Sequence, residues 1–114
     1  MESCVFCEIV AGNLPSDKVA ETERSLAFRD LNPVAPTHVL VIPKRHVESI
    51  GHLDAEMTAD VADLVTTIQE VTRVEGIDES GYRVVANTGT HGAQSVFHLH
   101  FHVIGGRQLG WPPE

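Results

Sequence analysis

The sequence predicts an α+β fold, and three patterns in its 114 residues carry that reading. One stretch, Met57 to Val74, repeats apolar residues at three- and four-residue steps, as an amphipathic helix does. Short runs suited to strands stand on both sides of it, joined by several links short enough for antiparallel neighbours. A doubly wound parallel sheet would need more helices than this chain offers.

Taken in order, Ser3 to Val10 is expected to form a short helical turn, stopped by Gly12-Asn13 and then Pro15. Val19 to Glu21 and Ser25 to Arg29 read as short strands, followed by the breaker-rich loop Asp30-Leu31-Asn32-Pro33-Val34-Ala35-Pro36. Val39-Leu40-Val41-Ile42 is a continuous apolar run between prolines, the pattern of a strand buried on both faces. In the long helix Met57, Val61, Leu64, Val65, Ile68, Val71 and Val74 make one stripe, with Asp54 as the expected N-cap and Gly76 as the stop. The stripe is read as packing against a sheet. Tyr82 to Asn87 reads as a strand, Thr88 to Ala93 as a glycine-bearing loop, and Ser95 to Ile104 as the final strand.

A chain that is 42% hydrophobic and 21% charged has the composition of an ordinary globular protein, here expected as a single domain over residues 1–114. Its formal charge of −8 argues against binding to extended nucleic acid or an anionic membrane. A small phosphate could still bind, because histidines and backbone amides set the field inside a pocket. No segment is apolar enough to span a bilayer and the opening residues lack a cationic leader, so a cytoplasmic location is expected. Two cysteines, Cys4 and Cys7, exclude a disulfide framework and fit a reducing compartment.

Seven histidines is the unusual count, and three of them fall within His98-Leu99-His100-Phe101-His102. On a strand these three share one face, spaced by about 7 Å, while Leu99, Phe101 and Val103 anchor the other face to the core. Three readings remain open on chemistry alone: exposed histidines without a role, metal ligands, or a catalytic set with one neutral imidazole as nucleophile.

The run His98-Leu99-His100-Phe101-His102-Val103-Ile104 resembles the histidine-triad motif. Ala35-Pro36-Thr37-His38-Val39-Leu40-Val41-Ile42-Pro43-Lys44-Arg45-His46, Gln94-Ser95 and Gly105-Gly106-Arg107-Gln108-Leu109-Gly110-Trp111-Pro112-Pro113 extend the resemblance to the Hint branch of the histidine-triad (HIT) superfamily nearly end to end. The resemblance implies an antiparallel sheet of about five strands with one long and one short helix. It also implies a homodimer with a continuous sheet, in which Trp111 reaches toward the neighbouring active site. The implied activity is cleavage at the α-phosphorus of a purine nucleotide, such as the P–N bond of an adenosine 5′-phosphoramidate. In that reading His100 is the nucleophile and forms a phosphohistidine, His102 contacts phosphate and leaving group, and His98 and His38 support them. Ser95 is expected near the leaving atom, Asn87 in the pocket, Asp30 on the ribose hydroxyls, and Val5, Phe6, Ile9, Phe28 and Leu40 around the base. For Ser95, Asn87 and Asp30 a turn or capping role is the plain alternative, and the apolar five would also serve as core.

Cys4-Val5-Phe6-Cys7 has knuckle spacing, and the resemblance places His46 and His98 as the further ligands of a structural zinc. Buried thiols or a redox pair are the alternatives, and no cofactor is expected to be needed for turnover. Two rival functions stand beside hydrolysis: a noncatalytic nucleotide-binding or regulatory protein, and a metal-dependent enzyme that uses the histidine strand as ligands.

Overall fold

In the computed structural model, which describes residues 4–113, the chain runs α1 (Val5–Val10), β1 (Lys18–Glu21), β2 (Ser25–Arg29) and β3 (Thr37–Pro43), followed by two 3₁₀ turns (Ile50–His52 and Ala55–Met57). Then come α2 (Thr58–Val74), β4 (Tyr82–Val85) and β5 (Phe101–Gly105). The strands form one antiparallel sheet in the order β1-β2-β3-β5-β4, so the α+β expectation holds.

The apolar run between prolines becomes β3, every residue of which is buried. Strand alternation divides its side chains between two cores. Val39 and Val41 join Ala27, Leu99 and Val103 beneath Leu64, Ile68 and Val71 of α2. Leu40 and Ile42 join Leu26, Phe28, Cys4 and Phe6 on the side covered by α1. Removing a residue such as Leu64 from water contributes about 1.5–3 kcal/mol, so α2 is held mainly by this face. The helix ends as expected at Gly76, whose φ of +71° suits glycine. Gly76 N–H donates to the Arg73 carbonyl and Ile77 N–H to the Thr72 carbonyl, closing a Schellman turn.

Several boundaries differ from expectation. The last strand begins at Phe101 rather than Ser95, because its pairing with β3 stops at Val41 opposite Phe101. Pro43, just beyond, has no N–H to continue a ladder, and Leu99 N–H instead donates to the Val47 carbonyl. His98 and His100 therefore precede β5, although Leu99 and Val103 still face the α2 core. β4 ends at Val85, which leaves Asn87 in the following loop. Asp54 caps the 3₁₀ turn by accepting from Glu56 N–H at 2.9 Å, and α2 starts later with no side-chain cap. Ser3 lies outside the described residues. The helical stripe is not wholly packing either: Val65 and Val74 are 50% and 54% exposed, because a stripe over five turns is wider than the sheet it covers.

Candidate functional site

His38 and His102 lie on the α1 side of the sheet. His102 pairs with Leu40, so the two point the same way, and His38 is two residues before Leu40. The hydrogen bonds of the histidines determine which nitrogen carries each proton. Val34 N–H donates to His38 Nδ1 at 3.2 Å, so that nitrogen is an acceptor and Nε2 carries the hydrogen. His38 Nε2 then donates to His102 Nδ1 at 2.8 Å, which leaves the hydrogen of a neutral His102 on its Nε2. His100 Nδ1 donates to the His98 carbonyl at 2.8 Å, leaving a lone pair on His100 Nε2. His100 is 5% exposed, and its ring lies 5.0 Å from that of His102. One nucleophilic nitrogen and one donor thus stand side by side, each held in its tautomer by the fold.

Burial pushes His102 down to about 4, with His100 and His38 adding to the effect and Asp30 opposing it. It is neutral at physiological pH. A neutral imidazole donates a hydrogen bond without bringing a fixed charge beside a phosphate.

His98 is fully buried and turns away from this pair. Its Nε2 donates to the Pro43 carbonyl at 2.8 Å, so its Nδ1 lone pair faces Cys4 Sγ at 3.3 Å and Cys7 Sγ at 3.6 Å. His46 Nδ1 lies 3.3 Å from Cys7 Sγ. Ordinary zinc–thiolate and zinc–imidazole bond lengths imply S···N edges of about 3.6 Å in a tetrahedron. The four donors, all within 4.8 Å of one another, fit a tetrahedral ion with little movement. The carbonyl behind His98 also supplies the orienting partner that metal-bound histidines commonly have. Burial first, and then the hydrogen bond that its S–H donates to Cys4, push the Cys7 thiol up to about 11, so without an ion it is protonated at neutral pH.

The three histidines of the motif therefore have separate partners: the thiols, a backbone carbonyl and His38. Among the described residues they do not form a common ligand set; the other group of close donor atoms is Asp30, His38 and His102. A metal there would need His38 Nε2 as ligand and its hydrogen on Nδ1, against the Val34 N–H. The hydrogen bonding thus opposes the histidine-strand metal reading.

A cavity of about 290 Å³ opens beside α1, lined by Val5, Phe6, Ile9, Phe28, Asp30 and Leu40, with Pro15, Ser16, Asp17, Arg29, Leu31 and Asn32 completing it. The first six are the residues expected around base and ribose. Phe6 joins this cavity to the histidines, its ring centroid 5.2 Å from that of His100. Asp30 accepts from Asn32 N–H through Oδ1 at 2.8 Å, while its Oδ2 lies 3.5 Å from His38 Nε2. The acid thus stands where the apolar cavity meets the histidine pair.

Ser95, Asn87 and Trp111 are not part of this cavity's lining. Ser95 is exposed, Trp111 is 82% exposed, and Asn87 spends its amide on the Gly92 carbonyl at 2.7 Å. The organiser of the loop that carries Asn87 and Ser95 is Gln94, which sequence reasoning gave no role of its own. It accepts from Gly89 N–H and donates to the Glu48 and Val96 carbonyls. The Pro43 and His98 carbonyls and the Val34 amide, which orient the histidines, are backbone groups that no side-chain pattern marks. Asp17 and Arg29 could be found only from the packing of the α1–β1 link against β2.

The chain matches the family model of the HIT domain over residues 11–109. It is 39% identical to the purine nucleoside phosphoramidase of Escherichia coli (strain K12), over 96% of this chain and 92% of that one. It is 43% identical to the 14 kDa zinc-binding protein of Zea mays, over 96% of this chain and 86% of that one. Its fold matches the crystal structure of a HIT family hydrolase from Legionella pneumophila Philadelphia 1 with a TM-score of 0.95 and 41% identity, covering 98% of this chain and 100% of that chain.

Proposed function

The chain belongs to the HIT family of nucleotide-binding hydrolases, and from that premise we propose that it cleaves the P–N bond of purine nucleoside 5′-phosphoramidates. The observation that carries this reading is the pair of locked tautomers, His100 Nε2 with its lone pair beside His102 Nε2 with its hydrogen. His100 Nε2 attacks the α-phosphorus, a covalent bond forms to the histidine, and the P–N bond breaks. The His102 Nε2–H donates to the leaving nitrogen or a phosphate oxygen as charge shifts there. Water then cleaves the phosphohistidine and returns the free imidazole with a nucleoside monophosphate. Val5, Phe6, Ile9, Phe28 and Leu40 hold the base, and Asp30, at the junction of cavity and histidines, accepts from the ribose hydroxyls. Ser95 and Asn87 act from the loop before the histidines, on the leaving-group side.

Cys4, Cys7, His46 and His98 would hold a zinc ion whose contribution is to cross-link α1 to the backbone around Pro43 and to the residue before Leu99. Turnover runs on the imidazoles and needs no cofactor. The active unit is a homodimer formed through α2 and β4, where Val61, Val65, Tyr82 and Val84 leave apolar surface open beside a strand with one free edge.

Incubating the purified protein with adenosine 5′-phosphoramidate tests the reading. AMP and ammonia should appear catalytically, and mass spectrometry after an alkaline quench should find phosphate on His100. Tight AMP binding without turnover would favour the noncatalytic nucleotide-binding role, and phosphate on His98 or His102 would overturn the assignment of the nucleophile.

A further inference from the structure

We propose that Asp17 makes this site prefer guanine to adenine, accepting hydrogen bonds from N1–H and the 2-amino group of a guanine ring seated in the apolar part of the cavity. The inference rests on the nucleotide reading above and adds the identity of the base. Among the described residues two carboxylates line the cavity. Asp30 is engaged by Asn32 N–H and lies against His38, which places it at the end where ribose and phosphate belong.

Asp17 is the other. Its backbone carbonyl accepts from Arg29 N–H at 2.9 Å, and its Oδ2 lies 3.3 Å from Arg29 Nε. The Arg29 guanidinium is itself held by Glu75 through two bonds of 2.7 Å. A carboxylate 72% exposed would ordinarily wander, but this one is tied at backbone and side chain to an arginine that cannot move freely. Its Oδ1 has no hydrogen-bond partner among the described residues and remains available to a ligand.

Asp17 lines the same cavity as Phe28, Leu40 and Asp30, so for a base seated against the two apolar residues with its ribose at Asp30 it is the carboxylate left to meet the outer edge of the ring. Guanine presents two donors on one edge, which match a carboxylate whose Oδ1 is free and whose Oδ2, beside Arg29 Nε, keeps a second lone pair. Adenine presents the N1 lone pair there, facing a negative charge, and offers a single amino donor. Because Asp17 is largely solvated, the discrimination is on the order of tenfold rather than the far larger ratios of buried polar sites.

Calorimetric titration of the full chain with GMP, IMP and AMP tests this, in the wild type and in Asp17→Ala. Wild type should bind GMP about tenfold more tightly than AMP, with IMP between them because it keeps N1–H and lacks the 2-amino group. In Asp17→Ala the two affinities should converge, GMP weakening as it loses its acceptor and AMP holding or tightening slightly as the charge facing N1 is removed, and retained AMP binding also shows that the variant is folded. Wild-type affinities for GMP and AMP within about twofold of each other would overturn the role of Asp17 and leave the nucleotide reading standing. Equal weakening of both ligands in the variant would do the same. Failure of all three nucleotides to bind the wild type would overturn both.

Discussion

His100 and His102 differ in what each can lose. Replacing a covalent nucleophile removes the reaction path, so His100→Ala should lower kcat by about 10⁴-fold or more while AMP still binds. His102→Ala removes a donor and should cost about 10²–10⁴-fold, leaving measurable turnover in a steady-state assay. Asp30→Ala should raise KM for ribonucleotide substrates and abolish preference over deoxy analogues, a loss of roughly 1–3 kcal/mol of binding. Unchanged ribose discrimination would assign Asp30 to the histidine pair alone. Acid should also act through His102. Its proton affinity is depressed in the fold, about 4 against an ordinary 6.5, so the unfolded chain takes up the proton first. The stability it contributes is therefore complete above about pH 6.5 and is lost as pH falls toward about 4. Denaturant midpoints measured across that window should fall less steeply in His102→Gln, and an identical slope would refute the assignment.

At the scale of elements, α1 is six residues long, too short to be stable alone, yet it covers the face of the sheet that carries the histidines. Phe6 anchors it by packing edge-on to Phe28, with ring centroids 5.5 Å apart, and the thiol–imidazole cluster anchors it at its start. Elemental analysis should find about one zinc per chain, the stoichiometry of a four-ligand site. Chelation should lower the melting temperature, by roughly 5 °C or more, before it lowers activity. A zinc-free protein with the same melting temperature and rate would remove the metal from the account. Affinity for zinc should rise with pH, since the Cys7 thiol, pushed up to about 11 by burial, must release its proton.

At the scale of the molecule, the proposed homodimer would form on the apolar surface left open by α2 and the edge of β4. A groove of about 310 Å³ runs there, lined by Val61, Val65, Ile68, Tyr82, Val84 and Phe101 among others. Sedimentation at micromolar concentration should give twice the chain mass. Val65→Asp and Val84→Asp, both at sites exposed in the single chain, should give folded monomers. If Trp111 completes the neighbour's site, those monomers should also lose activity toward phosphoramidates, whereas a wild-type monomer of full activity would exclude both ideas.

The sequence by itself determined the alternation that sends Leu99 and Val103 into one core and the histidines the other way, because a period of two survives where strand pairing does not. It likewise determined the buried centre of the sheet, through the apolar run at Val39, and the helix end at Gly76, through the one residue type at ease with its φ. Through the resemblance to a known family it also named six of the twelve residues that line the cavity around Phe6 and Asp30. The resemblance also set His98 with Cys4, Cys7 and His46, but only the tertiary structure decided that β5 starts at Phe101 and which ring nitrogen each of His98, His100 and His102 turns outward. The reason is physical: the Pro43 carbonyl, the His98 carbonyl and the Val34 amide choose those orientations, and backbone groups are the same in every residue until a fold aims them.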